Sequence, residues 1–232
     1  MRTMLRYATI GLAALALPTF AQQPTAAERA AMLKATMAAS EAALKKYQWI
    51  ETTVVTFKGD QKSRKQERCF YGDDGKLTKV LLDQSAPPPE PHGFLRRRIA
   101  EKEKKELEEK MQRAVALVRM YVPPNQEKIQ ACKESGNVNL QLTQPGKRAR
   151  LTFSDYLKPG DTFALDVDLT NNHPLSANVN TYLDSPDEPV ILTVSFGTLD
   201  DGTVYPSQSV LNLKSKRLRV TINNSGYEKN KQ

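Results

Sequence analysis

Val138-Asn139-Leu140-Gln141-Leu142-Thr143-Gln144-Pro145-Gly146-Lys147-Arg148-Ala149-Arg150-Leu151-Thr152-Phe153 alternates apolar and polar residues, turns once, and alternates again. A period of two places Val138, Leu140 and Leu142 on one side of an extended chain, and Ala149, Leu151 and Phe153 on one side of the next. Gln144-Pro145-Gly146 between them supplies fixed and permissive backbone for a tight turn. The stretch therefore predicts two antiparallel strands with one apolar and one polar face, Arg148 and Arg150 lying on the polar one.

The same grammar continues downstream. Lys158-Pro159-Gly160 precedes Phe163, Leu165, Val167 and Leu169, and Asn171-Asn172-His173-Pro174 precedes Leu175, Ala177, Val179 and Leu183. Val190, Leu192, Val194 and Phe196 lead to Asp201-Gly202, and a strand from about Tyr205 to Leu213 is followed by Leu218, Val220 and Ile222. Upstream, Trp49, Thr53, Val55 and Phe57 share one strand face. A strand over Arg64–Tyr71 then turns at Asp73-Asp74-Gly75 into one over Leu77–Asp83. Nine or ten strands at hairpin spacing favour an antiparallel meander. One apolar face per strand requires a single sheet with something packed on that side.

Residues 86–134 are different material. Pro87-Pro88-Pro89 and Pro91 form a stiff connector. A helical pattern follows from Leu95 to Tyr121, its first half dense in alternating lysine, arginine and glutamate, which supports a solvated face. Its second half carries an apolar stripe of Leu107, Met111, Ala114 and Val118, ending at Pro123-Pro124. A shorter helix over about Asn125–Lys133 holds Cys132. This insertion is expected to pack by its C-terminal half and to project its charged half.

The chain opens with Arg2 and Arg6, an apolar run from Ala8 to Phe20, and Thr19-Phe20-Ala21, the layout of a cleaved signal peptide over residues 1–21. The run is about 13 residues and is broken by Pro18, short of the ~20 a transmembrane helix needs. Residues 22–232 then form one domain, exported and periplasmic. Thr25-Ala26-Ala27-Glu28 is a capping box for an amphipathic helix over Ala26–Lys46, whose stripe is Leu33, Met37, Ser40, Leu44 and Tyr47. The formal charge of +8 suits an anionic membrane surface, a cell-wall polymer or a nucleic acid as well as simple solubility. Cys69 and Cys132 are the only cysteines. In an oxidising compartment they predict a disulfide worth about 4 kcal/mol by loop closure, with two buried thiols as the alternative.

Catalytic signatures are missing from the sequence. It contains no G-x-S-x-G, H-E-x-x-H, Walker or G-x-G-x-x-G pattern, and no cofactor is expected. His92 lies in the proline-rich connector and His173 in a turn, neither at metal-ligand spacing from a cysteine. Asp166 and Asp168 share a strand face, but the polar one. Arg148, Arg150, Lys216, Arg217 and Arg219 form a basic stripe without interleaved aromatics, which argues against nucleic acid. Apolar binding remains. Trp49, Val55, Phe57, Leu151, Phe153, Phe163, Leu165 and Phe196 fall on the inner side of the sheet, where they either line a cavity or fill a core.

The order of parts resembles the periplasmic outer-membrane lipoprotein carrier superfamily. The matching segments are the opening helix Ala26–Lys46 with Tyr47-Gln48-Trp49, Pro145-Gly146-Lys147-Arg148-Ala149-Arg150-Leu151, and Asp201-Gly202-Thr203-Val204-Tyr205-Pro206 through Ser225-Gly226-Tyr227. The resemblance implies a half-open barrel, helices as a lid, and a hydrophobic cavity for acyl chains; the charged helix Arg96–Lys110 is larger than such a lid needs. The expectation is an α+β fold, a strongly curved antiparallel sheet wrapped around the N-terminal helix, with a helical insertion at 86–134. The expected function is a non-enzymatic carrier or sensor of a lipid or an acylated protein. The alternative is an interaction module binding an envelope protein through helix 96–118.

Overall fold

The computed structural model describes residues 26–86 and 94–230. The leader over residues 1–21, Thr25 of the capping box, the proline run and His92 lie outside the described residues. An opening helix, α1 (Ala26–Leu44), leads into β1 (Tyr47–Phe57), β2 (Asp60–Tyr71) and β3 (Leu77–Gln84). Two helices follow, α2 (Phe94–Val118) and α3 (Gln126–Glu134). The rest is strand: β4 (Val138–Gln144), β5 (Arg148–Ser154), β6 (Thr162–Asp168), β7 (His173–Tyr182), β8 (Pro189–Thr198), β9 (Val204–Leu213) and β10 (Leu218–Lys229).

All ten strands form one antiparallel sheet in the order β3-β2-β1-β10-β9-β8-β7-β6-β5-β4. Every neighbouring pair is a hairpin except β1 with β10, where the first strand closes on the last. The sheet is curved and unclosed, with β3 and β4 as its two edges. The turns use the residues that the sequence marks. Gly75, Gly146, Gly160 and Gly202 all take positive φ, a region in which a Cβ is disfavoured.

Register aligns the inward side chains in rows. Val55, Val220, Leu211, Leu192, Val179, Phe163, Phe153 and Val138 stand opposite one another from β1 to β4. A second row runs Thr53, Ile222, Ser209, Val194, Ala177, Leu165, Leu151 and Leu140. The opposite face carries Thr52, Arg219, Asn212, Asn178, Asp166 and Arg150, and faces solvent.

Three helices share the hollow. The second half of α2 supplies most of the filling: Ala114 and Val118 are buried, as is Tyr121 just beyond, with Leu107 and Met111 half-buried against the same core. From α3 comes buried Cys132; its N-terminus is capped by Asn125, whose Oδ1 accepts from the amides of Glu127 and Lys128. The opening helix lies across β7 and β9. Leu33 touches the core, and the buried Ser40 Oγ accepts from the Val204 amide at 3.0 Å. Because α1 is alanine-rich, it seats closely but brings little side-chain volume.

Candidate functional site

Beneath α2 and α3 the hollow is packed. Phe153 and Phe163 stack with centroids 5.8 Å apart, and Tyr156 sits 5.1 Å from Phe163 and 5.5 Å from Tyr121. Leu165 and Val179 lie buried beside them. A polar knot closes this end. The buried Asp161 carboxylate accepts from the Tyr121 hydroxyl and from the backbone amides of Tyr156, Leu157 and Lys158, while Tyr121 also hydrogen-bonds Thr181 Oγ1 at 2.9 Å. Burial, and then the bond to Asp161, push the Tyr121 hydroxyl far above the ordinary tyrosine range. Each buried polar group here has its partner, so the knot holds the β5–β6 turn to the end of α2.

The hollow is not covered to its margins. Val55, Phe57, Leu151 and Phe196 are half-buried at the border of the core, and Val220 and Ile222 on β10 are likewise half-buried. From that border the inward rows reach both edges. On β4, Leu140 and Leu142 are 56% and 55% exposed; on β3, Leu81 is 52% exposed and stands opposite Glu67. Of the eight residues selected from the sequence, Phe153, Phe163 and Leu165 fill the covered core, Val55, Phe57, Leu151 and Phe196 border the open part, and Trp49 belongs elsewhere. Sequence reasoning missed Val220, Ile222, Leu140, Leu142 and Leu81 as lining residues, although their period of two already places them on the inner face.

Trp49 belongs to an aromatic group at the far end of β1 and β10. A β-bulge opposite Trp49, between Ser225 and Glu228, turns Tyr227 onto the inner side. Tyr227 then stacks on Trp49 at 5.6 Å and meets Tyr205 at 4.4 Å, while Tyr71 lies 6.1 Å from Trp49. Trp49 Nε1 is buried and has no hydrogen-bond partner among the described residues. Beside the group opens a pocket of ≈ 380 Å³ lined by Tyr47, Thr198, Leu199, Asp200, Asp201, Tyr227 and Lys229. Asp201 accepts from the Tyr47 hydroxyl at 2.6 Å, and with the Thr203 donors this holds its carboxyl far below the usual range. The inner face of β1–β3 also carries ion pairs, Glu51–Lys79 at 2.6 Å and Glu67–Lys65 at 2.7 Å. The hollow therefore has a packed aliphatic–aromatic end, an open apolar margin, and a polar aromatic end.

The two cysteines are separate thiols in this structure, so the expected disulfide between Cys69 and Cys132 is not formed. Cys69 lies on β2 next to Trp49, whereas Cys132 on α3 donates toward the Ser154 carbonyl of β5, far along the sheet. Burial, and then Glu51, push the Cys69 thiol up to about 11.

The charged half of α2 is exposed and is also tied to the sheet's rim, Glu103 to Lys58 at 3.1 Å, Glu106 to Lys216 at 2.8 Å and Lys110 to Glu188, while Arg113 in the second half reaches Asp184. On the outer face Asp166 is held by Arg150, 2.7 Å away, and by Ser176. Asp168 accepts from Thr170, and His173 Nδ1 lies 3.3 Å from Thr198 Oγ1. Among the described residues no helix is long and apolar enough to cross a membrane.

No family model matches the chain, and no match is found among curated proteins. Among solved structures it is similar to a LolA superfamily protein from Nitrosomonas europaea, at 10% identity over 86% of this chain and 94% of that one, with a TM-score of 0.34. It is also similar to a DUF1329 family protein from Desulfovibrio piger, at 11% identity over 87% and 92%, with a TM-score of 0.37. At that identity and TM-score the likeness assigns neither ligand nor activity.

Proposed function

We propose that the protein is a non-enzymatic carrier or sensor of a hydrophobic ligand, a lipid or the acyl chains of an acylated protein, acting in the periplasm after export. The supporting observation is the margin of the hollow, where Val55, Phe57, Leu151 and Phe196 are only half-buried and the row of Leu151 ends in exposed Leu140 on the edge strand β4. Such a surface gains about 0.8 kcal/mol for each methylene it removes from water. Ten methylenes thus offer about 8 kcal/mol before the cost of immobilising a flexible chain. The polar aromatic end beside Trp49 suits the headgroup of the same molecule.

Native mass spectrometry of protein purified from cells, and of delipidated protein mixed with phospholipid, tests this reading. Bound lipid is expected in both, and should be lost in Val55→Glu with the circular dichroism spectrum retained. A ligand-free mass in every preparation overturns it. A second reading, docking of an envelope protein on helix 96–118, draws on Ile99, an aliphatic residue of α2 that is 67% exposed. Loss of pull-down in Ile99→Glu, with lipid binding intact, selects that reading instead.

A further inference from the structure

We propose that β4 is a pairing edge for a second copy of this chain, joined antiparallel about a two-fold axis at Leu140. Strand β4 is bonded on one side to β5, and among the described residues no backbone hydrogen bond leaves its other side. An edge of this kind displays free N–H and C=O groups, and proteins that must stay monomeric guard it with charge, proline or distortion. The opposite edge has such guards. Strand β3 carries Lys79 and Asp83, pairs both with β1 or β2 through ions, and is bulged between Leu81 and Asp83. Val138–Gln144 holds no charged residue and no proline, yet it exposes Leu140 and Leu142.

The second copy is chosen by complementarity. Pairing with β5 is regular from Val138 to Leu142 and shifts before Gln144, so five residues form an undistorted edge. Inverting Val138-Asn139-Leu140-Gln141-Leu142 on itself about Leu140 sets Val138 against Leu142, Asn139 against Gln141, and Leu140 against Leu140. Apolar side chains meet on the inner face, and amides meet on the outer face, a matched isologous contact. Charge permits the approach. A chain of net charge +8 repels its own copy, but β4 is neutral and Arg148 and Arg150 on the adjacent strand stand opposite Asp168 and Asp166. A two-fold axis through facing residues keeps both inner faces on one side, so the two hollows become one longer apolar floor. Five residues a side bury less than the roughly 1,200 Å² of a stable interface, so the pair forms weakly and with rising concentration.

The test is a cysteine on the axis. Leu140→Cys should give a reducible dimer under mild oxidation, on the order of tenfold or more faster than Leu81→Cys on the other edge, because pairing replaces chance collision. The native thiols are buried and should give none. Sedimentation of the unmodified protein should show a dimer fraction that grows with concentration and disappears in Leu140→Lys, whose thermal unfolding is unchanged. A monomer at every concentration, equal cross-linking at both edges, or a dimer that persists in Leu140→Lys overturns the proposal. So does a monomer that binds an added extended peptide along β4, since the edge then serves a foreign strand.

Discussion

Individual side chains in this protein are held by burial more than by exposed charge, and alkaline pH should reveal it. Cys69, ordinarily ionising at 9.0, is pushed up to about 11, and the hydroxyls of Tyr121, Tyr156 and Tyr227 are also raised by burial above 10.0. A raised folded value means that the native state keeps the proton longer than the unfolded chain does. The stabilisation is therefore complete below about pH 9 and is lost as pH rises through the folded values. Urea midpoints should stay level up to pH 9 and then fall; a level profile to pH 11 would mean that these groups are solvated. Tyr121→Phe removes the hydroxyl that serves both Asp161 and Thr181, at a cost of about 1–3 kcal/mol by denaturant unfolding. Gly197 is set by contact. A Cβ there would lie 2.8 Å from the Tyr205 ring, so Gly197→Ala must displace a ring of the aromatic group. About 1–3 kcal/mol of lost stability is expected, together with a changed emission spectrum from Trp49, the single tryptophan.

Among the elements, α2 separates charge from packing along one helix. Its N-terminal half makes exposed, solvent-screened ion pairs with the rim, while its C-terminal half buries Ala114 and Val118. Val118→Ala should lower the unfolding free energy by about 1–3 kcal/mol, whereas Glu103→Gln with Glu106→Gln should leave the denaturation midpoint nearly unchanged. The reverse ranking would place the anchorage of α2 in its charges. The stripe Leu107, Met111, Ala114 and Val118 is legible in the sequence because helical period survives in any surroundings. The ten strands are legible for the same reason: Asp-Gly, Pro-Gly and Asn-rich turns separate runs of strict alternation. Two things are not legible. The inward turn of Tyr227 depends on a bulge that breaks the period of two, so reading β10 by alternation alone puts that ring on the wrong face. The division of the inner face into covered Phe163 and open Val55 depends on how far α2 and α3 reach across the strands, a long-range distance that no local pattern carries.

For the whole molecule, a single sheet with helices over only part of it must be unevenly stable, and hydrogen exchange can map that unevenness. Local opening is cheapest where few buried contacts oppose it. In β6–β9 the inward residues Phe163, Val179, Val190 and Leu213 are almost wholly buried, whereas every residue of β3 and all of β4 beyond Val138 are exposed. Amides in 163–167, 177–181, 190–194 and 211–213 should therefore exchange at rates set by global unfolding. Those in 77–84 and 138–144 should exchange orders of magnitude faster, because breaking a strand at the sheet's border exposes little new apolar surface. Adding phospholipid then separates the outcomes. A ligand on the open margin should slow exchange in 53–57 and 218–222, which contain half-buried Val55, Phe57, Val220 and Ile222, and leave 163–167 unchanged. Protection arising instead along 98–110 would place the contact on the exposed half of α2. Protection confined to 138–144, and dependent on protein concentration rather than lipid, would report pairing of β4. The three sites lie on different peptides, so one experiment distinguishes a filled hollow from a docked helix and from a joined edge.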